Sequence, residues 1–170
     1  MKPKIDNIEK PKIQLRPLSK EDLVLWDQWK SYVDFSAYQT HLFPQGFAEN
    51  RMEDYLIFII QADLEPIGAI WFDEINYSKE SAWLGLFIGN PDYWNKGIGS
   101  IAIKMSVRDM FINRGLKSIC LKVREKNHRA IRCYEKVGFE KYTYHEPEKF
   151  GDGSFQGWFE MVMKSQELAN

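Results

Sequence analysis

Residues 13–16, Ile-Gln-Leu-Arg, alternate apolar and polar positions, which predicts a short first strand. Beyond Ser19 the period changes. Leu23, Trp26, Trp29 and Tyr32 recur every third residue behind the acidic pair Glu21-Asp22, which predicts a helix with acids at its positive end. The pattern loosens over residues 31–50, where Tyr32, Phe35, Tyr38, His41, Phe43 and Phe47 are interrupted by Pro44 and Gly46. One or two short helices joined by loop are expected there. Residues 55–60 are a continuous apolar run of strand length. Residues 63–66 read as a turn into a second strand over 68–72, and residues 82–88 as a third interior strand.

In the second half the punctuation is clearer. Residues 89–100 form a strand-to-helix loop holding three of the eleven glycines. The helix after it carries two apolar stripes, Ile101/Met105/Ile112 and Ile103/Val107/Met110/Phe111, which predicts packing on two sides. Gly115 stops that helix. Ile119, Leu121 and Val123 alternate as a strand, and Asn127 caps a helix over 128–137 that Gly138 ends. Strands around 139–144 and 155–163, joined at Gly151-Asp152-Gly153, complete an α/β domain over residues 13–164. Residues 1–12 and 165–170 read as tails.

Composition narrows the class. In 170 residues, 44% are hydrophobic, 15% aromatic and 28% charged, a mixture that excludes disorder and promises a core. Lys and Arg number 23 against 24 Asp and Glu, so no basic field exists to hold nucleic acid. Cys120 and Cys133 are too few for a disulfide framework, and His41, His128 and His145 form no metal pattern. No apolar run is long enough for a membrane span, and residues 1–12 lack a signal core. The expectation is a reduced, cytoplasmic domain without metal, nucleic-acid or membrane partner.

Two segments carry the chemistry. In Trp94-Asn95-Lys96-Gly97-Ile98-Gly99-Ser100, glycines bring the backbone near a ligand while the following helix leaves its first N–H groups unpaired, an arrangement suited to a phosphate. The same glycines also serve a tight turn. No Lys-Ser/Thr completes a nucleotide-triphosphate loop, and the third glycine of a dinucleotide fingerprint is missing. One strand downstream lies Asn127-His128-Arg129-Ala130-Ile131-Arg132-Cys133-Tyr134-Glu135-Lys136-Val137-Gly138-Phe139.

Together these segments resemble the two-part cofactor signature of the GNAT N-acetyltransferase superfamily: Gln/Arg-x-x-Gly-x-Gly/Ala, then Asn-x-x-Ala-x-x-x-Tyr-x-x-x-Gly-Phe. The chain matches at Gly97, Gly99, Asn127, Ala130, Tyr134, Gly138 and Phe139, and departs at Trp94. The resemblance implies a mixed, mostly antiparallel twisted sheet of about six to seven strands with helices on both faces. It implies acetyl-CoA as co-substrate, in a splay between strands ending at Ile88 and Val123. The diphosphate would rest on main-chain N–H groups of Asn95, Lys96, Gly97, Ile98, Gly99 and Ser100. The pantetheine would pair with main-chain groups of Phe87 and Ile88 and with Asn127, beside Ala130, while Lys96, Lys104 and Arg129 are candidates for the ribose phosphate. Tyr134 would hydrogen-bond or protonate the leaving thiolate.

For the general base the expectation is Asp73 or Glu74, then Glu160, which shares a strand face with Trp158 and Val162. Cys133, a helical step of about 100° from Tyr134, is expected on another face as a buried thiol. The acceptor is a primary amine of a small molecule or peptide N-terminus, and a homodimer is possible. The chain resembles RimJ/RimL-type, spermidine and aminoglycoside 6′-N-acetyltransferases. The last carry an aspartate where Gly85 stands. A catalytically silent acyl-CoA sensor on the same scaffold is the alternative from another class.

Overall fold

The computed structural model describes residues 11–32 and 55–166. The helices expected over 31–50 therefore lie outside the described residues beyond Tyr32, as do most of both tails. Strand β1 (Ile13–Pro17) leads through a 3-10 turn at Lys20–Asp22 into helix α1 (Leu23–Tyr32). Strands β2 (Leu56–Ala62), β3 (Glu65–Asn76) and β4 (Ser81–Ile88) form a meander. Helix α2 (Ile98–Ile112), strand β5 (Ser118–Arg124), helix α3 (His128–Val137) and the hairpin β6 (Glu140–Lys149) and β7 (Phe155–Lys164) follow. One seven-stranded sheet results, in the order β1-β2-β3-β4-β5-β7-β6. It is antiparallel except where β4 and β5 run parallel. Among the described residues no helix is long and apolar enough to cross a membrane.

Strand alternation decides which helix covers which face. Ala69 and Trp71 of β3 pack with Trp29 of α1, Ile59 and Phe87. Ile70 and Phe72 point the other way, into a larger core with Ala102, Ile103, Val107 and Met110 of α2 and Ile131 of α3. So α2 and α3 lie on one face and α1 on the other.

The expected second contact of α2 is not found among the described residues. Ile103, Val107 and Met110 are buried, whereas Ile101, Met105 and Ile112 are 43%, 42% and 63% exposed. The helix sits in the outer layer, so a single stripe meets the sheet.

Two local features differ from a regular sheet. Asp63 and Leu64 connect β2 to β3 with φ of 48° and 73°, the positive pair of a two-residue hairpin turn. Asp63 also accepts from Lys12 N through Oδ1 at 2.8 Å and donates its own N–H to Lys12 O at 3.0 Å, which ties the turn to β1. At the opposite edge β6 runs past residue 144, because its pairing with β7 resumes after a bulge at His145. The hairpin's turn is held by Arg124, only 3% exposed. Its Nη1 donates to Asp152 Oδ2 at 2.8 Å while the guanidinium lies 3.9 Å from the Phe150 ring centre.

Candidate active site

β4 and β5 pair at only three positions, Ser81↔Ser118, Ala82↔Ile119 and Trp83↔Cys120. Beyond Trp83 the strands continue to Ile88 and Arg124 without pairing, and the sheet opens into a wedge. A crevice of about 400 Å³ follows it, lined from both faces of the sheet.

Main-chain groups along β4 alternate in direction. Ser118 N–H donates to Glu80 O on the β5 side, whereas Gly89 N–H donates to Ile67 O on the β3 side. Residues in phase with Glu80, Leu86 and Ile88, therefore turn their main chain into the wedge. Phe87 turns its own toward β3, and its ring packs edge-on against Trp26 and Trp29 at 5.2 and 5.1 Å. Phe87 lines the crevice, but its main chain faces β3, and that of Leu86 faces the wedge. The Ile88 carbonyl already accepts from Trp94 Nε1 at 2.9 Å.

Asn95 (φ 60°) and Gly97 (φ 76°) take the left-handed conformation that turns the chain into α2. A Cβ at 97 would meet nothing within 4 Å, so glycine is required there by the backbone and not by space. No side chain caps α2. The N–H groups of Ile98, Gly99 and Ser100 thus lack intrahelical acceptors and carry the positive end of the helix dipole to the crevice wall. At Gly99 a Cβ would stand 3.4 Å from both Cys133 Sγ and Leu86 Cδ2, which places α2 in contact with α3 and β4 at this position.

Helix α3 supplies the opposite wall. Asn127 Oδ1 accepts from Ala130 N at 3.2 Å, capping the helix and leaving its amide nitrogen for the crevice. Gly138 ends it at φ 111°. Tyr134 is 8% exposed, lines the crevice and packs edge-on to Phe139 at 6.0 Å. Among the described residues no group hydrogen-bonds its hydroxyl. Burial pushes this phenol above its ordinary value, so it remains a neutral donor. Cys133 also reaches the crevice, contrary to expectation, 3.3 Å from Ser100 Oγ. Burial raises its thiol too, against smaller lowering from that contact, which keeps it protonated and a poor nucleophile.

Of the residues expected to bind the co-substrate, Phe87, Ile88, Asn95, Gly97, Ile98, Gly99, Ser100, Asn127, Ala130 and Tyr134 line this one crevice. Lys96 does not. Its ammonium lies 5.4 Å from the Tyr93 ring centre. Lys104 is exposed on α2, away from the lining. Arg129 stacks 3.8 Å over Trp94, so the position where the signature has Gln or Arg holds a ring that carries a guanidinium instead.

The expected bases are not brought in. Asp73 is 4% exposed on β3, across from Trp83. Glu74 sits exposed at a bulge with φ 45°. Glu160 lies 3.6 Å from His145 Nε2. Among the described residues the lining includes Lys122, Arg129, Arg132 and Lys136 and no carboxylate. Sequence reasoning missed Lys122, Arg132, Lys136 and Trp71. The one available signal for Trp71 was a glycine inside an apolar strand: Gly85 is its register partner, and a Cβ there would collide with the indole. Among the described residues no group of three metal-ligating side chains occurs.

Comparison with known proteins shows the family. A family profile described as "Acetyltransferase (GNAT) family" matches residues 21–139. The chain is 28% identical to the spermidine N(1)-acetyltransferase of Escherichia coli, with 92% of this chain and 89% of that one covered. It is 30% identical over 108 residues to the ribosomal protein bS18-alanine N-acetyltransferase of the same species, covering 62% and 70% respectively. The crystal structure of a Vibrio cholerae spermidine N-acetyltransferase in complex with CoA and spermine superposes with a TM-score of 0.78. Its identity is 23%, with 93% of this chain and 98% of that one covered.

Proposed function

Starting from a chain that belongs to the acetyltransferase (GNAT) family, we propose that acetyl-CoA is the donor and a primary amine of a small molecule or peptide N-terminus the acceptor. The observation that carries this reading is the uncapped start of α2, set in a crevice with four cationic side chains and no acid among its described lining. Main-chain N–H groups at a helix N-terminus favour a diphosphate, and Arg129, Arg132 and Lys136 on the facing helix add charge of the same sign.

The chain's own groups then divide the work. Attack of a neutral amine puts negative charge on the thioester oxygen, and a wedge-facing main-chain N–H of β4, at Leu86 or Ile88, is the donor placed to stabilise it. Tyr134 donates a hydrogen bond to the departing sulfur. Its raised pKa makes complete proton transfer to a thiolate of ordinary pKa (about 8.5) uphill. The hydrogen bond therefore stabilises the leaving group, and the proton shed by the amine balances the thiolate. With the expected carboxylates held off the lining, water in the open crevice takes that proton. Asn127 orients the pantetheine arm through its free amide nitrogen.

The position of β6 at the edge of the sheet, with Tyr142 exposed, supports pairing of two copies at this edge. The test of function is thiol release from acetyl-CoA with a panel of monoamines, diamines, aminoglycosides and short peptides. Amine-dependent release supports the reading. Acetyl-CoA binding without release on any amine overturns it in favour of a silent acyl-CoA-binding module.

A further inference from the structure

The two ends of the crevice are built differently. Toward Ile88 it widens, because β4 and β5 run on without pairing. At its narrow end, just past the last paired residues Trp83 and Cys120, it is lined by Leu84, Gly85 and Trp71. Trp71 belongs to β3, one strand further from the wedge, yet it reaches the lining. Its cross-strand neighbours explain how. The buried Ile57 of β2 fills one side, whereas Gly85 of β4 offers no side chain on the other. The indole therefore lies across β4, where a Cβ at residue 85 would collide with its Cζ2 and Cε2. The ring packs with Trp29, Ile59 and Phe87, its centre 6.2 Å from that of Phe87, so it stands as a fixed wall and not a movable side chain.

That wall lies opposite the groups assigned to the donor's other end. Tyr134 belongs to the core under α2 and α3, and Trp71 to the core on the α1 face, yet both line the one crevice. A donor with its diphosphate at the start of α2 and its sulfur at Tyr134 enters from the first of these faces. The carbons beyond its carbonyl then run toward the narrow end and meet the indole. We propose that Trp71 gauges the acyl chain of the donor, leaving room for the methyl of an acetyl group and excluding longer unbranched acyl groups. The proposal rests on the acetyl-transfer reading above and names the residue that sets its donor class. Transfer breaks the thioester C–S bond, forms an amide C–N bond and leaves the CoA thiol whatever the chain length, so a length series changes only how the acyl group fits.

The test compares acetyl-, propionyl-, butyryl- and hexanoyl-CoA by thiol release, with whichever amine of the panel above turns over fastest, and by calorimetric binding of each thioester. Wild type is set beside Trp71→Leu and Trp71→Phe, which keep an apolar side chain in the core and shorten it by different amounts, and each protein is melted. Wild type is expected to prefer acetyl-CoA to butyryl-CoA by at least about tenfold in kcat/KM, the low end for a misfitted methylene. In Trp71→Leu that preference falls by at least about tenfold, and in Trp71→Phe it falls by less. Where the leucine variant does not fold, the fall in Trp71→Phe decides. Lost stability alone lowers turnover with every donor and leaves the ratio as it was. An unchanged ratio in the folded variants, or a wild type that uses hexanoyl-CoA as well as acetyl-CoA, overturns the gauge while leaving acetyl transfer intact. Binding of acetyl-CoA without release on any amine removes the transfer reading, and the gauge then stands if the variants gain affinity for butyryl-CoA relative to acetyl-CoA and falls if they do not. No binding of any thioester overturns both.

Discussion

Replacing Tyr134 by Phe separates the catalytic reading of this residue from a packing role. The ring is buried in contact with Phe139, and Phe preserves that contact. Only the hydroxyl is lost, and among the described residues it has no hydrogen-bond partner. The hydroxyl lines the crevice and makes no contact that the fold needs, so its removal is expected to leave folding stability nearly unchanged. Turnover should behave in the opposite way. A positioned proton or hydrogen-bond donor contributes roughly 10²–10⁴ in rate, or about 3–5 kcal/mol of barrier. The assay is colorimetric release of the CoA thiol, paired with a thermal melt of each protein. Tyr134→Phe is expected to lose at least about a hundredfold in kcat with little change in KM for acetyl-CoA and no fall in melting temperature. Because burial raises this phenol, wild-type kcat should show no basic limb from it below the ordinary phenol value of 10. Equal turnover of the two proteins, or a loss of rate that tracks a loss of stability, refutes the role assigned to the hydroxyl.

Two further predictions concern the frame. Leu64 is 71% exposed at φ 73°, so Leu64→Gly relieves backbone strain without losing packing and should raise stability by up to about 1 kcal/mol. A lowered melting temperature contradicts that. Asp152, held by Ser154 and then by Arg124, titrates at about 2 against an ordinary 3.8. Its folded value is depressed, so the stability it contributes is complete above 3.8 and lost as pH falls toward about 2. Asp152→Asn should therefore melt below wild type at neutral pH, with the gap closing over that acid window. A constant gap at all pH values counts against the pair.

What the sequence disclosed, and what it withheld, follows from the range of the interactions involved. The Gly97/Gly99 loop, the Asn127 cap, the Gly138 stop and Tyr134 are set by local backbone demands and helical spacing, and all of them except Gly138 line one crevice. Alternation at residues 13–16 and 119–123, and the apolar runs at 55–60 and 82–88, placed strands where the structure has β1, β5, β2 and β4. Properties that depend on neighbouring strands were harder to read. Asp73 and Glu74 look alike in sequence, yet a bulge buries one and exposes the other. Phe87 and Leu86 differ by one residue, and only the pairing of β3 with β4 shows which turns its main chain to the wedge. Ile101, Met105 and Ile112 form an apolar stripe that sequence periodicity assigns to a partner, although α2 meets the sheet along one side alone. Lys122 is one of 23 basic residues and becomes notable only beside Trp83, Trp158 and the open wedge.

In the proposed donor complex the first amides of α2 hold the diphosphate. A crystal structure of the protein with CoA tests this directly. The expected result is diphosphate oxygens about 2.7–3.2 Å from the main-chain nitrogens of Ile98, Gly99 or Ser100, with the sulfur end directed toward Tyr134. CoA bound away from this wedge, or with its diphosphate held by side chains elsewhere on the surface, contradicts it.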